Sequence, residues 1–382
     1  MHVPDGFFTA AVSVSAGAVA AAGVAVCLRG ARRELDDRTA PMAGLVAAFV
    51  FAVQMLNFPV AAGTSGHLLG GALAAILVGP HTAVLCLAVV LLVQGFFFAD
   101  GGLTALGVNI TLMGVVAVLV GWGVFRLITR SARSRPAVVA ASFVAALLSV
   151  PATALVFTVL FWIGGTAPIE AGTVAAAMGG VHLLIGVGEG LITAVTVSTV
   201  LAIRPDLVYG ARGTTAAPLL LRGAGGDVTV AGRPTAPATA LTSGPATGLT
   251  TGPGAAGGPR WFLPVGVAVA ALLAGVVSFY ASSSPDGLER VAEDKGFIDR
   301  ATDHALGEQP LADYGEVGGI PVGLAGLAGV GVTLVAGGGL FVVVRRRGQK
   351  DTEGTGQAAG AARTGDAGRR EDAGDAGNRA SV

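Results

Sequence analysis

The chain has 382 residues, 53% of them hydrophobic and only 13% charged, with a mean hydropathy of +0.72. Soluble domains carry about 25% charge, so a cytosolic globular enzyme is excluded and a polytopic membrane protein is expected. Lys+Arg and Asp+Glu number 24 each, and this zero net charge predicts no nucleic-acid partner.

The chain opens Met1-His2-Val3-Pro4-Asp5-Gly6. A free amino terminus followed by histidine is a chelator. The Met1 amine, the deprotonated His2 amide nitrogen and the His2 imidazole close fused rings on one metal ion. A fourth nitrogen from a distant imidazole completes a square plane. Planar, all-nitrogen coordination suits Ni(II), Cu(II) or low-spin Co(II) and disfavours Mg and Ca. The bland alternative is an incidental histidine in a frayed terminus.

Residues 7–28 are apolar. No Lys or Arg precedes them, and the first positive cluster is Arg29, Arg32, Arg33 and Arg38. A cleavable signal peptide carries its charges in front; charges behind predict an amino terminus outside. Further apolar runs cover 42–56, 67–79, 82–98, 105–125, 137–163, 178–203, 261–280 and 320–344. The 67–79 run is short for a span of about 20 residues, so it borrows from its flanks or sits inside the bundle. Nine spans starting outside place 29–38, 126–136, 204–260 and 345–382 in the cytoplasm, and these hold 21 of the 24 Lys and Arg. That asymmetry fits the positive-inside rule.

The expected fold is an all-α polytopic membrane helix bundle. Residues 1–208 form a seven-span unit. Residues 209–260, rich in Gly, Pro, Thr and Ala, form a flexible cytoplasmic linker. Residues 261–347 form a two-span unit with outer loop 281–319, and 348–382 a disordered cytoplasmic tail. Abundant glycine and alanine suit close helix packing. Cys27 and Cys86 lie in apolar runs and read as small core residues.

On the outer side, Asn57-Phe58-Pro59 leads to Gly63-Thr64-Ser65-Gly66-His67. His67 can therefore reach the amino-terminal claw, and a histidine at a membrane boundary is a functional candidate. Ser65 beside it is a candidate for the surrounding shell. Asp100 either orients a ligating imidazole or caps the next helix. His182 reads as a transient ligand on the metal's path or as a helix-terminal hydrogen bonder. Gln54, Gln94, Asn109 and Glu189 are expensive inside spans and should face the bundle interior. His81 lies at a cytoplasmic turn and is given no role. The 281–319 loop has nine acidic and three basic groups, which concentrate cations modestly. Leu288, Val291 and Phe297 are expected to dock it on the first unit.

There is no GxxxxGK[ST] loop, and Lys295 and Lys350 are the only lysines, so the chain itself is not expected to be a P-loop ATPase. Gly63-Thr64-Ser65-Gly66 matches the GxSG of rhomboid proteases, which leaves a Ser65–His182 dyad as an alternative. A structural scaffold or an ATP-independent metal permease are further alternatives.

The opening hexapeptide, 57–71, Phe98-Ala-Asp-Gly-Gly-Leu-Thr-Ala-Leu-Gly107 and His182-Leu-Leu-Ile-Gly-Val-Gly-Glu189 resemble the CbiM/NikM family, over residues 1–208. These are substrate-capture membrane subunits of energy-coupling-factor transporters for cobalt and nickel. Pro285-Asp-Gly-Leu-Glu289 and its flanking spans resemble the PDGLE-type, CbiN/NikN-like component. The resemblance implies a transporter component rather than an enzyme, in the cytoplasmic membrane of a bacterium. It implies a transported Ni(II) or Co(II) held by Met1, His2 and His67, and no prosthetic group. The partners implied are a transmembrane coupling subunit and two ATP-binding-cassette ATPases. The family often has tryptophan where this chain has His81.

Overall fold

The computed structural model describes residues 1–36, 39–61, 63–132, 134–212 and 261–349, with the backbone of 220–222 and 228–230. Most of the predicted 209–260 linker and nearly all of the predicted 348–382 tail lie outside the described residues. The chain is helical, with the apolar runs coinciding with helices. In the first unit these are α1 (Ala10–Glu34), α2 (Thr39–Gln54), α3 (Gly71–Val78), α4 (Pro80–Phe98), α5 (Leu106–Thr129), α6 (Arg135–Gly164) and α7 (Ala171–Ile203). The second unit holds α8 (Phe262–Tyr280), α9 (Gly287–Asp294) and α10 (Val322–Gln349).

Seven of these are long and apolar enough to cross a membrane: α1, α4, α5, α6, α7, α8 and α10. Helix α2 has 16 residues and α3 only eight, both below the roughly 20 of a full span. Every residue of α3 is buried, so its short backbone is sheltered by protein rather than lipid. Helix α7 starts at Ala171, two turns before the apolar run. Gly172 and Thr173 dilute the hydropathy there, but Val174 and Met178 are fully buried and hold those turns in place. His182 therefore lies inside the helix and does not begin it.

Two departures from plain α-helix bear on the site. The last turn of α4, Gln94–Phe98, is π-wound, as is Ile110–Val116 within α5. A π-turn shifts the side chains that follow, and such turns cluster at functional sites. Here they adjoin Gln94 and Asn109, both fully buried or nearly so. The 58–66 loop is a small antiparallel hairpin, β1 (Phe58–Ala61) against β2 (Thr64–Gly66).

Residues 1–9, 57–61, 63–66, 99–105, 165–170 and 281–319 gather at one end of the bundle. Backbone bonds tie them: Thr9 N–H to Gly164 O (2.9 Å), Gly102 N–H to Val3 O (2.9 Å), Thr302 N–H to Asp5 O (3.0 Å) and Ser65 N–H to Pro285 O (2.9 Å). The second unit lies along α2. Helices α2 and α10 meet where a Cβ on Gly44 would sit 3.0 Å from the Gly338 Cα. Leu288, Val291, Ala292 and Phe297 of the outer loop are buried in one cluster with Met1, Val3, Phe7 and Phe8. Burying each large side chain contributes ~1.5–3 kcal/mol, so the loop is seated firmly over the amino terminus.

Candidate metal centre

The amino terminus is built in, not frayed. Met1 is 3% exposed and Val3 is fully buried. Asn109 Oδ1 accepts from Val3 N–H (2.8 Å), and its amide donates to Val3 O (3.1 Å). The buried Asp5 carboxylate accepts from Thr104 N–H (2.7 Å), Thr104 Oγ1 (2.5 Å) and Leu103 N–H (3.2 Å). Gly102 has to be glycine, since a Cβ there would lie 2.2 Å from Asp5 N. Val3 and Asp5 are thus fixed by α5 and the turn before it.

This anchoring sets the Met1 amine against His67 Nε2. His67 Nδ1 lies 3.1 Å from Leu68 O. A proton on Nδ1 satisfies that carbonyl and leaves the Nε2 lone pair facing the amine, the arrangement that prepares an imidazole as a metal ligand. The His2 and His67 rings are nearly parallel, 17° apart with centroids at 4.9 Å. His2 is buried, and that burial pushes its imidazole down to about 4, against the opposing pull of Asp100. The ring is therefore neutral at pH 7 with one nitrogen lone pair to give. Its Nδ1 lies 3.1 Å from Asp100 Oδ1 and its Nε2 3.2 Å from Gln94 Oε1. A cleft of about 460 Å³ opens beside these groups, lined by His2, His67, Asp100, Asp286 and Tyr314.

The structure brings Met1, His2, His67 and Asp100 together. Asp100 faces the His2 ring and caps no helix. Ser65 stands nearby but gives its hydroxyl proton to Ser284 O (2.7 Å). His182 Nδ1 bonds Met178 O (2.8 Å) on its own helix, and its Nε2 has no partner among the described residues. Ser65 and His182 do not make the hydrogen bond a serine nucleophile needs from its base. His81 bonds Glu34 at 2.7 Å, at the opposite end. Among the described residues no group of three or more His, Cys, Asp and Glu side chains forms a metal site; the donors that converge here are two imidazoles and main-chain nitrogen.

Two residues of the second unit also reach the centre, and the sequence had assigned them no part in it. Asp286 Oδ2 is 2.9 Å from the Met1 amine and 3.7 Å from His67 Nε2. Burial alone would raise the Asp286 carboxyl, but the ammonium beside it holds it well below the usual carboxylate range. Tyr314 donates to Asp100 Oδ2 (2.5 Å) and stacks on Phe98 at 5.1 Å. Burial first, then Asp100, raise its phenol well above the ordinary value, so it stays a donor. Asp313 and Tyr314 both adopt left-handed backbone, φ 50° and 51°, a conformation costing ~1–3 kcal/mol per non-glycine residue. Phe98 stacking and the Asp100 bond offset that cost. Tyr314→Phe should keep the fold while freeing Asp100 and the His2 ring. Metal affinity is expected to fall ~10-fold, the lower end for loss of an outer partner, by calorimetric titration; unchanged affinity would show that Asp100 needs no support.

Residues 2–207 match the family model described as "cobalt uptake substrate-specific transmembrane region", CbiM, and residues 260–346 match the PDGLE domain. A protein of Haloquadratum walsbyi provisionally named a metal transport protein is 40% identical over 209 residues, covering 55% of this chain and 94% of its own length. An Archaeoglobus fulgidus protein provisionally named fused nickel transport protein NikMN is 40% identical over 208 residues, 54% of this chain and 68% of its own. The fused nickel transport protein NikMN of Rhodobacter capsulatus is 35% identical over 222 residues, 54% of this chain and 64% of its own. This chain is a multi-pass membrane protein of the CbiM family, carrying a PDGLE domain behind its CbiM region.

Proposed function

We propose that the chain is the membrane component that captures Ni(II) or Co(II) from outside for an ATP-driven, energy-coupling-factor uptake transporter. The observation that carries this is the convergence of the Met1 amine, the neutral His2 ring and the ligand-ready His67 Nε2. Met1 and His2 would supply the amine, the deprotonated amide and imidazole Nδ1. His67 Nε2 would supply the fourth donor, and a planar nitrogen set selects these ions over Mg and Ca. In the structure His2 Nδ1 faces Asp100, so capture would include a turn of the His2 ring that frees Nδ1 for the metal and gives Asp100 the Nε2–H to accept from. The family resemblance adds a transmembrane coupling subunit and two ATPases, whose ATP hydrolysis would reorient the bundle and release the ion inward. The membrane would be the cytoplasmic membrane of a bacterium, with residues 1–9 outside.

Incubation of the purified chain with equimolar Ni, Co, Cu and Zn, followed by metal analysis, tests the capture step. About one equivalent of Ni or Co is expected; no bound metal overturns it. Uptake in cells lacking any ATPase partner would make the chain a permease instead.

Capture also has a pH signature. To bind the metal the Met1 amine and the His2 amide must both give up a proton, while His2's imidazole, already neutral above about 4, loses none. Affinity should therefore fall ~10-fold per pH unit for each proton displaced, up to ~100-fold between pH 7.5 and 6.5. Titration calorimetry at the two pH values would read this directly, and a flat profile would mean that the main-chain nitrogens are not ligands.

A further inference from the structure

The PDGLE stretch has a stated structural task at each residue except in its aspartate's second oxygen. Pro285 O pairs with Ser65 N–H of β2. Gly287 rests on α7, where a Cβ would lie 2.6 Å from Ile185 Cδ1 and 3.1 Å from His182 Cε1. Leu288 is buried under the amino terminus. Glu289 closes the capping box by accepting from Asp286 N–H (3.2 Å). Asp286 Oδ1 accepts from Leu288 N–H (2.7 Å) and Glu289 N–H (2.9 Å), which is its work as cap of α9. Its Oδ2 is turned away from the helix, onto the amine at 2.9 Å and towards His67 Nε2 at 3.7 Å.

We propose that Asp286 is a metal-site residue lent by the second unit: Oδ2 receives the incoming divalent cation and then stays beside the nitrogen plane as its counter-charge. This rests on the capture function proposed above and adds a component to it. Asp286 and His67 both line the cleft, and Asp286 is 18% exposed where His67 is 4%, so a hydrated cation entering it reaches the carboxylate before the His67 lone pair behind. Carboxylate oxygen replaces one water of the ion, and from Oδ2 the amine and His67 Nε2 are one ligand exchange away. The ammonium that Oδ2 now pairs with gives its proton to solvent as its nitrogen takes the metal. Because Oδ1 is tied to the α9 cap, the carboxylate cannot drift from this position without unseating the helix. Asp100, the other carboxylate at the centre, is committed to His2 and Tyr314, which leaves Asp286 Oδ2 as the carboxylate oxygen that can exchange the amine for the ion without moving. The centre is then composite, and the two-span unit is part of it.

Asp286→Asn is the discriminating variant. Asparagine is isosteric and an equally good helix cap, so α9 and its docking are kept while the charge is lost. The full-length detergent-solubilised chain would be mixed with Ni(II) alone, and its uptake followed in competition with a chromophoric chelator. Loss of a charged outer partner is expected to weaken Ni(II) affinity ~10–100-fold, with a slower association whose salt dependence is also diminished. Glu289→Gln, which alters the same capping box without reaching the amine, should bind as wild type. Asp286→Asn within about twofold of wild type in rate and affinity would overturn the proposal and leave the capture function standing. An equal fall in Asp286→Asn and Glu289→Gln would also overturn it, by showing that the motif acts only through the fold. A wild-type chain that takes up no Ni(II) would remove the capture function itself, and the proposal with it.

Discussion

His67→Ala, and separately a chain carrying one extra residue before Met1, are each expected to lose Ni or Co binding entirely in metal analysis. The two changes remove different donors from one plane. His67→Ala deletes the imidazole in contact with the Met1 amine, leaving three donors in a row and no fourth corner. It does so without disturbing the amine–Asp286 pair at 2.9 Å, so the helical content should be unchanged. The extra residue acts at the neighbouring corner. It turns the Met1 amine into an amide and pushes the new terminus into a space bounded by His67, Asp286 and a nearly buried Met1. Each donor of a planar chelate depends on the others for position, so losing one is not a graded effect. Full binding by the extended chain would end the claw. Binding lost in the extended chain but kept in His67→Ala would put the fourth donor elsewhere, and the Nε2 of buried His182, without a partner among the described residues, would be the first to test.

Much of this centre is legible in the sequence because its donors are rare. Five histidines in 382 residues, one of them at position 2, leave few ways to build a nitrogen plane. The positive-inside count puts His67 on the same side as Met1. The anchoring is less legible. Asn109 and Gln94 are visible as polar residues inside spans, but their partners depend on π-wound turns, which leave no periodicity to read. The hairpin at 58–66 is equally hidden, since its pairing includes Pro59 and Gly66. Asp286 and Tyr314 were out of reach for another reason. They lie 219 and 247 residues beyond His67, and an acidic turn in a solvated loop has no signature that separates a cap from a metal-site carboxylate. Only the seating of Leu288, Val291 and Phe297 under the amino terminus carries them to the ion's position.

Glu189→Ala is expected to cost ~2–6 kcal/mol of stability and to abolish high-affinity metal binding. The segment from His67 to Gly70 is non-helical chain buried inside a membrane protein, where each backbone group needs an internal partner. Glu189 is fully buried in α7, and its two oxygens accept from Leu69 N–H (2.7 Å) and Gly70 N–H (3.1 Å). Gln54 of α2 donates to Leu69 O (3.0 Å) from the other side. His67 is therefore positioned by a carboxylate that bonds the backbone just beyond it. Alanine strands two buried N–H donors at ~1–3 kcal/mol each. Glu189→Gln keeps one acceptor but sets an amide N–H against a backbone N–H, so it should fall between wild type and alanine in both stability and affinity. Thermal unfolding in detergent, read beside Ni titration of both variants, checks the order. A positioning role predicts that affinity drops in Glu189→Gln even at temperatures where the fold is intact. If stability fell while affinity held, the restraint on His67 would have to come from its own Nδ1 contact with Leu68 O at 3.1 Å, and the backbone beyond it would be free to move without disturbing the fourth donor.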